Sequence, residues 1–494
     1  MTGRAKEIKI LDSLCNDNKT NLAVVTGRRG IGKKYLIEEM FSNTNHSCLY
    51  FSFTGAHNAD NKTQLINFNE AIYDWFKIET NEVFTSWTQA FNKLKRIINN
   101  EISSSEKQYK KVVIFIDELP WIDRNNKTDF STALGHFYNT YCVKQKNFLV
   151  IFCGSNAAWI KNRILEDEQG PYHKRVDKLI ELKPFTLEET ALYLKEEKNL
   201  TLDNKTITEI YMIFGGVAKY LSYYDRTKTL AKNVNEIFFS FNGLLYGEYE
   251  LLFKSLFIDK DGTYRKIIQE LVKIKSGLTR TDITNKLKVP ASSTKIRDAI
   301  NDLVMSGFTI SISKSQNAYR DTKYIISDPF ILFYSKWVLP LNKNDIVQKN
   351  NYWESIMSSN TYNIWAGFAF ELVCIINIEK YVHKRGLSGV FKKATYWHHT
   401  SKDKNEKGAQ IDILVEYEHD CYDIVECKYY NDEVTITADM KKNLINKKDM
   451  FTKYGLSKKK FDIKTIFISP YGVKENNHYN SVPIFDNFTL NCLL

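Results

Sequence analysis

The sequence predicts an α/β protein of several domains, and three observations support this prediction. A glycine-rich loop near the N-terminus lies between an apolar strand and a helix, and a second apolar strand ends in two carboxylates. Far along the chain, two further strands bear acidic residues. Short apolar strands that alternate with longer amphipathic segments are typical of a parallel sheet covered by helices. The length of 494 residues allows about three or four domains.

The glycine-rich loop has the spacing of a phosphate-binding loop, Gly27-Arg28-Arg29-Gly30-Ile31-Gly32-Lys33. Residues 22–26 predict the strand before it, and residues 35–41 predict the helix after it. Glycines let backbone N–H groups surround phosphate oxygens, and Lys33 would reach the β- and γ-phosphates. Lys34 stands where a Ser or Thr hydroxyl would bind Mg²⁺. The loop therefore predicts ATP binding and leaves efficient hydrolysis open.

The second half of the nucleotide site is expected about eighty residues later, where apolar residues 112–116 precede Asp117 and Glu118. A buried parallel strand delivers such side chains to its C-terminal edge. There Asp117 would hold Mg²⁺ through water, and Glu118 would polarise the attacking water. A glycine-rich turn or an acidic strand end is common by itself, but the two in this order predict a nucleotide site.

The remaining strands of this sheet are predicted at residues 48–53, 148–153 and 179–182. Ser155 and Asn156 follow the second of these strands and could contact the γ-phosphate or the attacking water, or could instead cap the next helix. Arg175 is the candidate for an arginine that reaches the phosphates, in the same chain or from a neighbouring copy. A surface arginine fits its sequence context equally well.

The pattern changes after this first region. We predict four domains, an ATPase core, a helical lid, a winged helix with an aromatic connector, and a second α/β domain, at residues 1–190, 191–258, 259–345 and 346–494. The winged helix is predicted from three helices followed by a hairpin around the turn Lys314-Ser315-Gln316-Asn317. Such a module binds DNA or docks another protein, and both uses remain open.

The last domain contains the spacing D-x(13)-E-x-K in Asp412, Glu426 and Lys428, on two strands predicted at 411–415 and 422–428. Side chains alternate along a strand, so Glu426 and Lys428 share one face, with Asp412 close by. Two carboxylates could hold Mg²⁺ while an ammonium orients or deprotonates water, as in a metal-dependent phosphodiesterase. Glu371, on a predicted helix, could add an outer carboxylate. An exposed hairpin with the same residues is the alternative.

Composition narrows the possible partners and compartment. The net charge of +11 suits a polyanion such as DNA, although solvated lysine faces give the same value. Residues 441–464 are the most basic segment, and we expect Lys458, Lys459 and Lys460 to contact DNA phosphates. There is no apolar stretch of bilayer length, no signal sequence and no C-x-x-C pair among the eight cysteines. These features favour a cytoplasmic protein without a membrane partner.

With these motifs the chain resembles the archaeal and bacterial AAA+-related, STAND-like (DEXX-box) ATPases that have a C-terminal PD-(D/E)xK nuclease domain. The matching pieces are Gly3-Arg4-Ala5-Lys6-Glu7, the phosphate loop, Asp117-Glu118-Leu119-Pro120-Trp121, Cys153-Gly154-Ser155, Gly215-Gly216-Val217-Ala218-Lys219-Tyr220-Leu221, and the pair Ile411-Asp412-Ile413 and Glu426-Cys427-Lys428. The resemblance implies a P-loop ATPase core, a lid, a winged helix and a restriction-endonuclease-like tail. Lys34 departs from the family's metal-binding Thr, and Gln410 replaces a second acidic residue.

The sequence thus predicts an ATP-binding, slowly hydrolysing protein that couples nucleotide state to DNA binding and metal-dependent DNA cleavage. The alternative is a switch without catalytic activity, which binds ATP and either DNA or protein and has an inactive nuclease-like tail. A homo-oligomer, or a protein partner that docks on the winged helix, is compatible with both hypotheses.

Overall fold

The computed structural model describes residues 2–42, 47–79, 82–104, 108–123, 128–240, 242–257, 262–312, 322–342, 351–401, 406–456, 461–481 and 484–494. Two compact units are found. The first is Met1–Pro184 with Leu252–Ile258, and the second is Phe185–Leu251 with Asp259–Leu494. The turn predicted at 314–317 and the lysines at 458–460 lie outside the described residues.

A parallel five-stranded sheet forms the centre of the first unit, in the order β2-β3-β4-β1-β5. Its strands are β1 Asn21–Thr26, β2 Cys48–Thr54, β3 Lys111–Asp117, β4 Phe148–Gly154 and β5 Lys178–Glu181. Every residue of β1, β3 and β4 is buried, which explains why these strands are almost continuously apolar. All five predicted strands are therefore confirmed, each within one residue at either end.

Helices cover this sheet, and aromatic side chains fill the space between them. The helices are α1 Ala5–Asn16, α2 Lys33–Phe41, α3 Asn61–Phe76, α4 Trp87–Ser104, α5 Leu119–Ile122, α6 Phe130–Thr140 and α7 Ala157–Ile160. Trp87 has no exposed surface and packs edge-on against Phe68 and Phe130, with ring centroids 5.5 Å and 4.8 Å away. Such aromatic packing fixes α3, α4 and α6 against one another.

The second unit is mostly helical, with a mixed sheet near the C-terminus. Its helices are α8 Leu187–Glu196, α9 Asn204–Phe214, α10 Ala218–Ser222, α11 Leu230–Phe238, α12 Glu248–Leu256 (which crosses the division between the units), α13 Thr263–Val272, α14 Arg280–Lys286, α15 Thr294–Met305, α16 Pro329–Trp337, α17 Tyr352–Met357, α18 Asn360–Ile376, α19 Ile378–Lys384 and α20 Ala438–Tyr454. Its strands are β6 Leu278–Thr279, β7 Thr309–Ile312, β8 Lys323–Ile326, β9 Phe391–His399, β10 Ala409–Tyr417, β11 Cys421–Cys427, β12 Val434–Thr435, β13 Asp462–Ile468, β14 Val473–Lys474 and β15 Ile484–Phe488.

Two groups of elements in the second unit bear on the predicted sites. Helices α13, α14 and α15 are accompanied by an antiparallel sheet in the order β6-β8-β7, so the three helices and both arms of the predicted hairpin are present. The short strand β6 was not predicted. The larger sheet has the order β15-β13-β11-β10-β9, with β9, β10 and β11 antiparallel and β11, β13 and β15 parallel.

The aromatic segment predicted as a connector is instead part of a core. Helix α16 begins this segment, and its Phe330 ring packs at a tilt against Tyr220 of the predicted lid, with centroids 4.5 Å apart. Its Phe333 lies 5.2 Å from Trp353 and 5.7 Å from Trp365, measured between ring centroids. Because these rings share one apolar cluster, the predicted lid, winged helix and C-terminal domain form one compact unit.

Among the described helices, none is both long and apolar enough to cross a membrane by itself. The consecutive helices α18 and α19 pass a test of length and composition together, with a bend of 59° between them. Most side chains of α18 are buried within the second unit, including Trp365 and Phe370. An apolar core helix passes the same test.

Candidate functional site

The phosphate loop depends on three glycines with positive φ angles. Gly27, Gly30 and Gly32 have φ values of 144°, 83° and 94°, which side chains other than glycine rarely adopt. A Cβ atom on Gly27 would lie 2.2 Å from the carbonyl oxygen of Leu182, so close packing also requires glycine there. Gly32 precedes α2, whose first residue is Lys33. The loop thus leads directly into a helix N-terminus, as phosphate binding requires.

Lys33 is buried inside this loop and points back across it. Its ammonium donates to the carbonyl oxygens of Gly27 at 2.8 Å and Arg28 at 3.1 Å, and to Ser155 Oγ at 2.9 Å. Loop carbonyls are weak partners for an ammonium compared with phosphate oxygens. The geometry leaves Lys33 available to exchange these partners for the β- and γ-phosphates of a nucleotide.

Other loop residues stabilise its shape. Ile31 is buried, and its carbonyl oxygen accepts a hydrogen bond of 3.0 Å from the buried Arg4 guanidinium. Arg28 is also buried, whereas Arg29 is half-buried. Arg4 had entered the sequence analysis only as part of the resemblance. The structure assigns it a direct contact with the loop.

Ser155 links the two halves of the nucleotide site. Strand β4 lies between β1 and β3, so its end places Ser155 between the loop and the acidic pair. Its hydroxyl donates to Glu118 Oε1, and its backbone N–H donates to Glu118 Oε2 at 3.1 Å. Lys33, Ser155 and Glu118 therefore form a continuous hydrogen-bonded chain. Ser155 contacts catalytic candidates, whereas Asn156 caps α7 by accepting from the Trp159 N–H.

The two carboxylates at the end of β3 are both buried. Glu118 has φ 51° and ψ 47°, a left-handed conformation that turns its side chain towards Ser155 instead of along the strand. Burial raises the pKa of Glu118, partly offset by the Lys33 ammonium, and Asp117 adds a further upward influence. Asp117 Oδ1 accepts from the Glu118 N–H at 2.9 Å. An ionised Glu118 in this position can accept a proton from water.

Two predicted residues do not join this cluster. Lys34 is 48% exposed, and its ammonium lies 3.6 Å from Glu38 one helical turn away. Arg175 is exposed and precedes β5, whose first residue pairs with Ala23 near the start of β1. The loop follows the opposite end of β1, about 13 Å further along the strand. Arg175 therefore does not reach the phosphate loop within its own chain, because it lies at the amino edge of the sheet.

In the second unit, Asp412 and Glu426 approach each other across β10 and β11. Ile413 pairs with Val425 in the antiparallel ladder, so Asp412, which precedes Ile413, comes opposite Glu426, which follows Val425. Both carboxylates are buried, and Asp412 Oδ2 accepts from the Cys427 N–H at 3.2 Å. With Glu371 of α18 they form what we call the acidic cleft.

Three lysines neutralise the acidic cleft. Lys428 Nζ lies 2.7 Å from Glu426 Oε1. The spacing predicted that the two residues share one face, but not that they form an ion pair. Lys447 of α20 pairs with Glu426 and lies 3.8 Å from Asp412 Oδ1. Lys275, after α13, pairs with Glu371 and lies 3.6 Å from Asp412 Oδ1. Lys447 belongs to the basic segment 441–464, but the sequence did not predict its place in the cleft. No sequence pattern indicated Lys275.

The pKa values of the two carboxylates in the cleft are shifted in opposite directions. Burial, and then the Glu426 charge, raise the pKa of Asp412. Burial by itself would also raise the pKa of Glu426, but the neighbouring Lys447 and Lys428 lower it overall. Burial opposes the charge on Lys428, yet Glu426 and Asp412 hold its pKa above the usual value. Both pKa shifts favour the charged forms of Glu426 and Lys428, whose side chains lie 2.7 Å apart.

The acidic cleft offers few side chains that could coordinate a metal ion. Among the residues that the structure describes, no group of three or more His, Cys, Asp or Glu side chains is placed to hold an ion. The expected third carboxylate, Glu371, is paired with Lys275. One Mg²⁺ needs only one or two carboxylates besides water and substrate phosphate. Asp412 and Glu426 supply that number of carboxylates.

Comparison with known proteins supports the prediction of an ATPase domain in the N-terminal part of the chain. Residues 1–224 match a family model described as an ATPase domain predominantly from Archaea. This region contains the loop, Asp117, Glu118 and Ser155, so an ATP-binding ATPase core is supported there. The Methanocaldococcus jannaschii relative named "Uncharacterized protein MJECL04" is 23% identical over 436 residues, which cover 84% of each chain.

Two solved structures show partial similarity. The Walker-type ATPase PABY2304 of Pyrococcus abyssi has a TM-score of 0.48 at 16% identity, over 68% of this chain and 96% of its own. The ORC2 protein of Aeropyrum pernix, in its ADPNP-ADP complexes, has a TM-score of 0.42 at 11% identity, over 72% of this chain and 95% of its own.

Proposed function

We propose that this protein is a slow ATPase whose nucleotide state controls Mg²⁺-dependent cleavage of DNA by its second unit. The observation that carries the cleavage proposal is the convergence of Asp412, Glu426 and Lys428 in one buried cleft. Asp412 and Glu426 would hold Mg²⁺, which supplies charge stabilisation and an acidified water when bound. Lys428 would orient that water or the scissile phosphate.

Within the first unit, we propose that Lys33 binds the β- and γ-phosphates, Asp117 holds Mg²⁺ through water, and Glu118 polarises the attacking water. Ser155 would sense the γ-phosphate, because its hydroxyl already contacts both Lys33 and Glu118. Exposed Arg175 is available only to a neighbouring copy of the chain, so its use would require a homo-oligomer.

We further propose that α13 to α15 with β6 to β8 form a winged helix that contacts DNA. Lys295 and Arg297 are exposed on α15, the last of the three helices, where such modules bear their recognition residues. A protein partner on the same module is the competing use, and Arg297 already pairs with Asp298 at 3.0 Å.

The cleavage proposal is tested on plasmid and single-stranded DNA with Mg²⁺ or Mn²⁺, with and without ATP. We expect cleavage by the wild type and none by Asp412→Ala or Glu426→Ala, while both variants keep ATP binding and DNA affinity. Lys428→Ala should slow cleavage without abolishing it. Asp432→Ala, which removes an exposed carboxylate beyond the cleft, is the matched control. An Asp412→Ala protein that cleaves like the wild type would refute the assignment.

The second candidate is a switch that binds ATP and DNA without cutting. The specific observation in its favour is that Lys275, Lys428 and Lys447 already neutralise the three carboxylates of the acidic cleft. An inactive cleft could keep this ion-pair network for stability. Binding of DNA without cleavage in either metal would support the switch.

A further inference from the structure

A groove adjoins the acidic cleft in the second unit. It encloses a cavity of about 930 Å³ between α13, α16, α18 and the end of β11. Lys275, Glu371 and Lys428 line both this groove and the cleft that contains Asp412 and Glu426. A ligand in the groove would therefore end beside the carboxylates.

The walls of the groove are apolar and partly aromatic. Ile364 of α18 is 70% exposed, and Tyr430 beyond β11 is 50% exposed. Phe368, which is half-buried, adds a second ring to the lining, and the buried Trp365 lies behind it. Large apolar side chains left open beside a cavity are typical of ligand-binding surfaces. Flat ligands such as nucleobases stack on rings of this kind.

The groove also has a positive charge balance. Lys273, Lys275, Lys336 and Lys428 line it, and Glu371 is the one acidic residue among its described lining residues. Lys275 already compensates Glu371. Lys336 is exposed at the margin, and so is Lys273, whose ammonium pairs with Glu270 at 2.5 Å. Ammonium groups at an exposed margin can contact phosphates without losing their hydration.

The aromatic walls and the lysines of the groove together match an anionic ligand whose flat apolar faces can stack. Duplex DNA hides its base faces, so an apolar groove would desolvate its phosphates without compensation. An unpaired strand exposes both bases and phosphates. We propose that this groove binds single-stranded DNA and delivers a phosphodiester to Asp412 and Glu426, which rests on the proposed nuclease function. Bases stack on Tyr430 and Phe368, and phosphates contact Lys336 and Lys273.

Binding is measured with the full-length protein in EDTA, so that cleavage does not interfere. The probes are fluorescent oligodeoxythymidylate of about fifteen nucleotides and a blunt hairpin duplex of equal charge, followed by anisotropy. Tyr430→Ala should weaken single-strand binding on the order of tenfold. Lys336→Ala should reduce the slope of log affinity against log salt by about 0.7. The controls Tyr73→Ala and Lys195→Ala change exposed residues outside both the groove and the proposed winged helix.

The proposal is supported if the wild type prefers the single strand, Tyr430→Ala binds it more weakly, Lys336→Ala shows the smaller salt slope, and neither control changes. Equal affinity for the two probes, or groove variants that bind like the wild type, overturn it. The cleavage assay with Asp412→Ala is scored separately. If cleavage depends on Asp412 but the groove variants bind DNA like the wild type, the groove proposal is wrong and the nuclease proposal stands. If the groove variants lose single-strand binding but the wild type cleaves no DNA, the groove proposal is supported and the nuclease proposal is wrong.

Discussion

At the residue scale, the nucleotide site depends on two adjacent lysines with different environments. Lys33 is buried and donates to three oxygens across the loop, whereas Lys34 is exposed and faces Glu38. One helical step separates an ammonium held inside the loop from one that faces Glu38 at the surface. Consecutive helix residues lie on different faces, which explains the contrast.

Replacing Lys33 by Ala should abolish ATP binding. The substitution removes the one buried ammonium that the loop positions for the β- and γ-phosphates. Titration with a fluorescent ATP analogue measures the loss. Lys34→Ala, which removes the neighbouring exposed ammonium, is the matched control and should keep its affinity. Unchanged affinity in Lys33→Ala would contradict the assignment of the loop.

Replacing Lys34 by Thr should raise ATP turnover. A Thr side chain restores the hydroxyl that binds Mg²⁺ in phosphate loops, at a position where the Lys34 ammonium instead turns towards Glu38. We expect a gain of about tenfold, which corresponds to about 1.4 kcal/mol of transition-state stabilisation. Phosphate release at saturating ATP is the measurement. Equal or slower turnover in the variant would show that Lys34 itself assists the reaction.

The contact between Ser155 and Glu118 should appear in the pH dependence of turnover. Glu118 must be ionised to accept a proton, and burial raises its pKa, so activity should fall as the pH drops through that raised value. The Ser155 hydroxyl lowers the pKa of Glu118, and Ser155→Ala should therefore move this fall to higher pH. Ser155→Thr, which keeps a hydroxyl, is the control. An unshifted profile would remove Ser155 from the mechanism.

At the element scale, a buried ion pair positions β11, the strand that bears Glu426. Asp423 Oδ2 accepts from Tyr381 at 2.9 Å, from Tyr417 at 2.6 Å and from the Arg385 guanidinium. The Asp423 and Arg385 side chains are both buried. These contacts join α19, β10 and β11 at the end of β11 opposite Glu426.

Replacing Asp423 by Ala should destabilise the second unit. The change leaves the Arg385 charge buried without its carboxylate, which typically costs about 3–5 kcal/mol. Urea denaturation followed by tryptophan fluorescence measures the shift, with the exposed Asp432→Ala as the control. A midpoint unchanged from that of the wild type would mean that water or another residue replaces Asp423.

At the scale of the whole molecule, the proposal requires that the nucleotide state of the first unit alters the activity of the second. Coupling between two sites typically changes an equilibrium by about 5- to 150-fold. Cleavage rates with a non-hydrolysable ATP analogue, with ADP and without nucleotide should therefore differ in the wild type. The same rates should coincide in Lys33→Ala. Nucleotide-independent cleavage by the wild type would show two independent activities.

The sequence by itself determined those features of this protein that lie within short segments of the chain. The glycine spacing of the phosphate loop, the strand that ends in Asp117, and the pair Glu426 and Lys428 are all encoded within short segments. Backbone dihedral preferences and side-chain alternation act over a few residues, so a single sequence is enough to predict them. The five strands of the first unit followed from their apolar runs for the same reason.

Only the tertiary structure decided which distant segments meet. The insertion of β4 between β1 and β3 brings Ser155 to Lys33 and Glu118. The same sheet leaves Arg175 at the opposite edge from the loop. Packing in the second unit brings Lys275 to Glu371 and makes the aromatic connector part of a core. Strand order and helix packing arise from contacts between residues far apart in sequence, which local periodicity does not encode.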